Sequence, residues 1–243
     1  MKNKLWYMAL GLLIMLVMNF LAVGLPLNNL STKEISDSFN VYFVPAGYVF
    51  SIWGVIYLTQ IWFIYSLFTN KKTATFVNKV WLIYLLSSVA NALWLFFWHY
   101  QIFIWTVPLM LMLLISLAMI HQIYVQSKLQ LASIKIPTGI YLGWVSVATI
   151  ANITSVLSYY NWDGLGLSPQ LWSAILLLIA GVLGVVMLRQ HKDYAFALVI
   201  IWSVIGVAVK FPTELMIVVA AMMSVAVLVT VMICTLKNLK LTK

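Results

Sequence analysis

The chain has 243 residues, of which 64% are hydrophobic and only 8% are charged. A soluble domain carries about a quarter charged residues, so this composition excludes a water-soluble fold. The net charge of +9 does not indicate nucleic-acid binding, because the Lys and Arg residues lie between apolar runs rather than in one cluster. The apolar runs are about twenty residues long, a length that suits membrane-spanning helices better than barrel strands, so we predict an all-α integral membrane protein.

Eight apolar runs separated by polar breaks predict eight membrane-spanning helices. In chain order they cover residues 5–27, 46–68, 80–98, 102–125, 136–157, 171–188, 194–211 and 215–236. The longest break, "NNLSTKEISDSFNVYF", follows the first run, and the other breaks are short. No long polar segment interrupts the chain, so we expect a single membrane domain.

The charged residues support this count. With eight spans, all but two of the 14 Lys and Arg residues fall on one side of the membrane, and the exceptions are Lys33 and Lys210. The positive-inside rule then predicts that both termini are cytoplasmic. The alternative is a cleaved signal peptide, with Lys2 and Lys4 before the apolar run and "AVG" at 22–24 as the cleavage site, which would leave seven spans.

Few residues in the spans have catalytic or metal-binding chemistry. His99, His121 and His191 lie at different span edges or in loops, so we expect interfacial residues rather than metal ligands. Cys234 is the only cysteine, which excludes an intrachain disulfide and the Cys spacings of metal sites. No acid or Lys lies at the middle of a span, as a proton relay or a retinal Schiff base would require. We therefore predict no catalytic residue and no metal site.

Lys210 is a charged residue that falls within a predicted span, at the end of the seventh run. It lies four residues before Glu214, across the turn "KFPTE". We expect its side chain either to reach toward the interface or to pair locally with Glu214.

Three spans carry aromatic and amide side chains at helical spacing, which places each set on one helix face. The sets are Phe50, Trp53, Tyr57 and Gln60 in the second span, Ser87, Asn91, Trp94 and Trp98 in the third, and Trp144, Ala148 and Asn152 in the fifth. A buried amide needs a hydrogen-bond partner, so Asn91 and Asn152 should face other helices or a ligand. Their tryptophan neighbours would then face inward as well.

Ordinary membrane packing is the competing interpretation of these residues. Trp and Tyr form belts at bilayer interfaces, and we assign Trp98, Tyr100 and Trp105 to such a belt. For Trp53 the belt and a pocket are equally compatible with the spacing, whereas Trp144 lies deeper from its nearest outer end, which favours the belt less. Ala180 and Gly184, four residues apart, indicate close helix packing and no more.

Three motifs resemble one known family, the tryptophan-rich sensory proteins of the TspO/translocator type. "PAGYVFSIWGVIY" at 45–57 resembles that family's second helix, "NALWLFF" at 91–97 its third, and "IPTGIYLGWVSVATIAN" at 136–152 its fifth. The likeness covers about residues 1–157. The chain departs from the pattern at Ala46, where the family has a second Pro, at Leu95, where Ser is usual, and in three additional C-terminal spans.

The resemblance implies a five-helix transmembrane bundle at 1–157, followed by a three-helix extension at 158–243. It implies an aromatic pocket, closed by the first loop, that binds tetrapyrroles such as porphyrin and haem, while some relatives bind sterols. Matching positions make Trp53 and Trp144 the pocket tryptophans and Asn91 a polar contact. Tyr57, Trp94, Ala148 and Asn152 occupy further motif positions, and Phe50 shares the face of Trp53.

We therefore expect a multi-pass protein of a bacterial plasma membrane that binds or senses a planar hydrophobic ligand, with a tetrapyrrole as the leading class. The ligand would enter near "STKEISDSF", where Lys33 is the nearest base, and no other cofactor is required. The expected partners are the bilayer and this small molecule, in a monomer or homodimer. The alternatives are a small transporter, an enzyme that oxidises a tetrapyrrole through Trp53 and Trp144, and an assembly partner without a ligand.

Overall fold

The computed structural model describes residues 2–24, 27–127 and 129–241. At residues 23 and 238–241 it describes the backbone only. Within these ranges the regular structure is wholly helical. The α-helices are α1 (Lys2–Gly24), α2 (Thr32–Asp37), α3 (Ile52–Thr69), α4 (Ala74–His99), α5 (Phe103–Gln126), α6 (Ala132–Tyr159), α7 (Pro169–His191), α8 (Tyr194–Lys210) and α9 (Leu215–Leu241).

Seven of these helices are long and apolar enough to cross a membrane, which makes the chain a multi-pass membrane protein. The exceptions are the short helix α2 and the apolar helix α8, which has 17 residues. At a rise of 1.5 Å per residue α8 is about 26 Å long, slightly less than the roughly 30 Å of hydrocarbon in a bilayer. Lys128 and Lys243, which belong to the predicted basic side, and residues 25 and 26 of the first predicted span lie outside the described residues.

Five long helices form a closed ring. Helix α1 packs between α3 and α4, α4 packs on α5, α5 packs on α6, and α6 returns to α3. The last three helices attach to this ring mainly through α8, which packs on α6, while α7 and α9 pack on α8 and on each other. Helices α6 and α7 barely meet, although they are consecutive in the chain.

The helices run alternately up and down, so the loops gather at two ends of the bundle. At the end that carries α2, here called the α2 end, the indole of Trp98 donates to the Thr32 carbonyl over 3.4 Å. Gln170, in the first turn of α7, donates to the Tyr42 hydroxyl over 3.2 Å at the same end. The opposite end, here called the basic end, brings the Lys4 ammonium to 5.7 Å from the Trp81 ring.

Helix α2 was not predicted, because it is a single short helix inside the polar break after the first span. Its local signal is the capping box "STKE" at 31–34. The Ser31 hydroxyl accepts the Glu34 N–H over 3.2 Å, and the Glu34 carboxylate accepts the Ser31 N–H over 2.7 Å. These two bonds satisfy N–H groups that the start of a helix would otherwise leave free.

A buried polar contact joins the ring to α8 at the basic end. His121 of α5 places its Nε2 atom 3.0 Å from Asp193 Oδ2, and both side chains are buried. The other Asp193 oxygen accepts the Phe196 N–H over 3.0 Å, which caps α8. Gly143 allows the close approach of α6 and α8, since a Cβ there would lie 3.1 Å from the Phe196 carbonyl oxygen.

Two expectations about charged and polar side chains are wrong. His99 and His121 are buried rather than interfacial, because each finds a polar partner inside the protein: Leu95 O at 2.8 Å from His99 Nδ1, and Asp193 for His121. Lys210 does not pair with Glu214 and binds Asp37 of α2 instead. The tertiary fold brings Asp37 closer to Lys210 than the neighbouring turn brings Glu214.

Candidate functional site

The predicted aromatic faces of α3, α4 and α6 meet beneath α2 at the α2 end. They enclose a cavity of about 50 Å³, here called the aromatic site. Its walls are formed by Thr32, Ser36, Pro45, Phe50, Trp53, Trp94, Trp98, Trp144, Val147, Ala148, Ala151, Asn152 and Ser155. Side chains from three separate spans and from the first loop therefore converge on one place.

Six of the eight predicted ligand residues line this cavity: Phe50, Trp53, Trp94, Trp144, Ala148 and Asn152. The other two do not reach it. Tyr57 lies one turn further along α3 and stacks on the Trp53 ring, with the ring centroids 5.8 Å apart. Asn91 is fully buried, and its Oδ1 atom accepts a hydrogen bond of 2.9 Å from Asn19 of α1.

The aromatic rings of the site pack directly on one another. The Trp53 and Trp144 rings meet edge to face with their centroids 6.1 Å apart, and Phe50 meets Trp144 in the same way at 6.0 Å. Trp94 and Trp98 stack at 5.6 Å. These are favourable geometries for aromatic pairs, and they explain why so little space remains between the rings.

Three residues that line the cavity each carry a buried polar atom with no hydrogen-bond partner among the described residues: Trp94 Nε1, Trp144 Nε1 and Asn152 Oδ1. The Asn152 amide is held in place because its Nδ2 atom donates to Thr106 Oγ1 over 2.9 Å. Leaving a buried donor or acceptor unpaired costs about 1–3 kcal/mol, so native proteins rarely do so. The residues around the cavity thus leave two donors and one acceptor unpaired.

The segment 45–50 closes the cavity and is held by α8 of the C-terminal extension. The Ala46 N–H donates to the Gly206 carbonyl over 2.9 Å, and the Trp202 indole donates to the Val49 carbonyl over 3.3 Å. Gly206 is needed at this contact, since a Cβ there would lie 2.2 Å from Val49 Cγ2. The extension therefore positions the cover of a site that it does not line.

Helix α2 is tied to α8 in a similar way. Asp37 accepts hydrogen bonds from Lys210 of α8 and from Lys33, the latter over 2.7 Å. Burial raises the pKa of Asp37, but the hydrogen bonds from Lys210 and Lys33 outweigh it and hold that pKa below its ordinary value. Lys33, expected near a ligand carboxylate, is thus engaged by Asp37, and this hydrogen bond raises the pKa of Lys33.

Sequence reasoning missed several residues of the site, and Trp98 is the clearest case. Its assignment to an interfacial belt is wrong, because only 3% of its surface is exposed and it lines the cavity. Its position four residues after Trp94, on the same helix face, was the available signal. Tyr100 and Trp105 are exposed, as a belt requires. Thr32, Ser36 and Pro45 come from the first loop, whose fold no periodicity predicts.

Comparison with known protein families supports the resemblance that the three sequence motifs carry. The family model for TSPO-like proteins matches residues 5–234. The chain belongs to the TSPO-like protein family. The match runs through α7 and α8 and into α9, so in this TSPO-like chain the C-terminal helices fall inside the family pattern. No curated protein and no solved structure matches the chain.

Proposed function

We propose that this TSPO-like protein binds a planar hydrophobic ligand at the aromatic site, with a tetrapyrrole as the leading ligand class. The observation that carries the proposal is that a cavity walled by tryptophans is lined by three residues whose buried polar atoms have no partner among the described residues. Small-molecule sites combine mostly apolar and aromatic walls with a few polar groups that orient the ligand. The aromatic site has that composition.

The polar atoms define what the ligand must present. The indole N–H groups of Trp94 and Trp144 suit acceptors such as carboxylate, carbonyl or ring-nitrogen atoms, while Asn152 Oδ1 suits an N–H or O–H group. A tetrapyrrole carries ring nitrogens, N–H groups and carboxylates on a flat apolar frame. Each stacked aromatic contact would add about 0.5–1.5 kcal/mol beyond the burial of area.

Binding requires the site to open. The cavity of about 50 Å³ is far below the roughly 300–1,000 Å³ typical of small-molecule pockets. The segment 45–50 and helix α2 form its cover at the α2 end, and they are held by two hydrogen bonds and one ion pair to α8. We therefore propose that the ligand enters at the α2 end by displacing this cover.

The same proposal includes a membrane topology. We propose eight spans, with α8 as the shortest, a five-helix ligand-binding unit at 1–157 and an extension at 158–243. The closed packing of α1, α3, α4, α5 and α6 supports this division. The excess of Lys and Arg at the basic end supports cytoplasmic termini in a bacterial plasma membrane.

The test is a titration of the protein in lipid nanodiscs with protoporphyrin, followed by quenching of tryptophan fluorescence. We expect saturable binding in the micromolar range. Trp144→Phe removes one donor and keeps an aromatic ring, so it should weaken affinity about fivefold, the equivalent of one hydrogen bond worth about 1 kcal/mol. Trp105→Phe is the matched control, because Trp105 is 57% exposed and lies outside the site.

Two results would contradict the proposal. The first is quenching that does not exceed that of empty nanodiscs, which would show that the aromatic site does not bind the tetrapyrrole. The second is an affinity that Trp144→Phe and Trp105→Phe change equally, which would place the ligand elsewhere on the protein.

A further inference from the structure

A second and much larger cavity lies between α6 and α7 at the α2 end, and here it is called the junction cavity. Its volume is about 750 Å³, which lies within the roughly 300–1,000 Å³ of small-molecule sites. It exists because the extension rests on α6 through α8, so that α6 and α7 barely touch. The motifs that predicted the aromatic site give no indication of it.

The body of the junction cavity is apolar. Ile153 and Leu157 of α6 face Leu176 of α7 across it, and Phe43 of the first loop closes one side. Ser173 of α7 also belongs to the lining and is only 1% exposed, so the polar part of its side chain adds little to this apolar body.

The mouth of the cavity combines two tryptophans with one carboxylate. The Trp162 and Trp172 rings lie 5.4 Å apart, and Trp172 is fixed because its indole N–H donates to the Gly164 carbonyl over 2.7 Å. Asp163 is the only charged side chain among the described lining residues, and it is exposed. One of its oxygens accepts the Leu165 N–H over 3.0 Å, which leaves the other free.

This charge pattern selects the ligand. An anionic head would meet Asp163 and no basic lining residue. A cationic head gains from the carboxylate and from the negative faces of tryptophan rings, which bind ammonium groups well. We propose that the junction cavity is a second ligand site for an amphipathic cation, with the apolar body between α6 and α7 and the amine or quaternary ammonium head beside Asp163, Trp162 and Trp172.

Two sources supply this chemistry: a free hydrophobic amine, or the choline or ethanolamine head of a membrane lipid. The proposal does not depend on the aromatic site, since the cavities share no lining residue. The probe is radiolabelled decyltrimethylammonium, and the protein is held in nanodiscs of a neutral galactolipid that carries no cationic head. Equilibrium binding is measured after subtraction of empty nanodiscs.

We expect saturable binding of this cation, and no comparable binding of decyl sulfate, which has the same chain and the opposite charge. Asp163→Asn should weaken affinity about two- to fivefold, the range of an exposed ion pair. Glu34→Gln is the matched control: it removes a carboxylate at the same end, in α2, and should leave affinity unchanged. Ile153→Trp should fill the cavity and reduce affinity more than tenfold.

Asp163 is exposed, so Asp163→Asn keeps the test valid even where Ile153→Trp impairs folding. The proposal is overturned by non-saturable binding, by equal binding of decyl sulfate, or by an affinity that Asp163→Asn does not change. Adding phosphatidylcholine to the nanodiscs then identifies the source. Competition with the probe assigns the site to a lipid head, and its absence assigns the site to a free cation.

Discussion

Helix α6 presents two different faces at the α2 end, and the contrast between them explains where the protein has room for ligands. Toward α3 and α4, Trp144 and Asn152 border a cavity of about 50 Å³. Toward α7, Ile153 and Leu157 border one of about 750 Å³. Both cavities are covered by the same stretch of the first loop, with Phe43 on one and Pro45 on the other.

The difference comes from how the neighbouring helices are supported. The ring closes on itself, so its aromatic side chains pack against one another and leave little space between them. Helix α7 instead packs on α8 and α9, which leaves a gap beside α6. The aromatic motifs thus lie around a nearly filled cavity, while the larger cavity arises from the way the extension packs on α6.

The largest expected effect comes from a substitution at Asp193, which weakens the contact between α8 of the extension and the five-helix ring. Asp193→Ala removes the cap of α8 and leaves His121 without its buried partner. We expect a loss of about 2–4 kcal/mol, since a lost cap and a stranded polar group each cost about 1–2 kcal/mol. Thermal unfolding in detergent, followed by tryptophan fluorescence, measures it. Glu214→Ala is the control, because no side-chain hydrogen bond of Glu214 exists among the described residues.

The next largest effect is expected from a substitution at Gly206, which contacts the segment that covers the aromatic site. Gly206→Ala places a Cβ in overlap with Val49 Cγ2, so the Val49 side chain or the segment that carries it must shift. We expect a loss of about 1–3 kcal/mol from overpacking, together with faster association of protoporphyrin in stopped-flow measurements.

Gly54→Ala is the matched control for that substitution, because a Cβ at Gly54 meets no other atom within 4 Å. Alanine is the better helix former, so Gly54→Ala should leave the protein as stable or more stable, by up to about 1 kcal/mol. Equal effects of the two substitutions would show that α8 does not hold the cover.

A third substitution separates binding from stability within the aromatic site. Asn152→Leu removes an unpartnered buried oxygen, while the Thr106 hydroxyl keeps its bond of 2.6 Å to the Phe103 carbonyl. We expect stability to stay constant or to rise by about 1 kcal/mol, and protoporphyrin affinity to fall severalfold. A clear loss of stability in thermal unfolding would make Asn152 a packing residue instead.

The smallest expected effect is a pH dependence at Asp37. The pKa of Asp37 in the folded protein lies below its ordinary value of about 3.9, so its ion pairs stabilise the fold above that value. This stabilisation is lost as pH falls through the folded pKa, below about pH 4. Because Asp37 is partly exposed, Asp37→Asn should cost only about 0.5–1 kcal/mol near neutral pH. Melting curves of both proteins should converge below pH 4, and a constant difference would exclude the ion pairs as the cause.

The sequence predicts the parts of this protein that depend on local pattern. Apolar runs locate the long helices, and the amides Asn91 and Asn152 place the tryptophan faces of α4 and α6 inward, whereas the spacing of Trp53 leaves a belt and a pocket equally compatible. The capping box of α2 was readable from "STKE". Contacts between distant segments were not predictable: Asn19 with Asn91, or Asp37 with Lys210, which are 173 residues apart. Cavity volume depends on how all the helices dock, so neither the small size of the aromatic site nor the junction cavity has a sequence signal.

A crossed titration tests the separation of the two faces of α6 most directly. Protoporphyrin and decyltrimethylammonium are each titrated in nanodiscs, alone and with the other probe at saturation, on wild-type protein, Trp144→Phe and Asp163→Asn. We expect each probe to bind with an affinity independent of the other, and each variant to weaken only its own probe. Competition between the probes, or one variant that weakens both, would show that the protein has a single site and would contradict the presence of two separate sites.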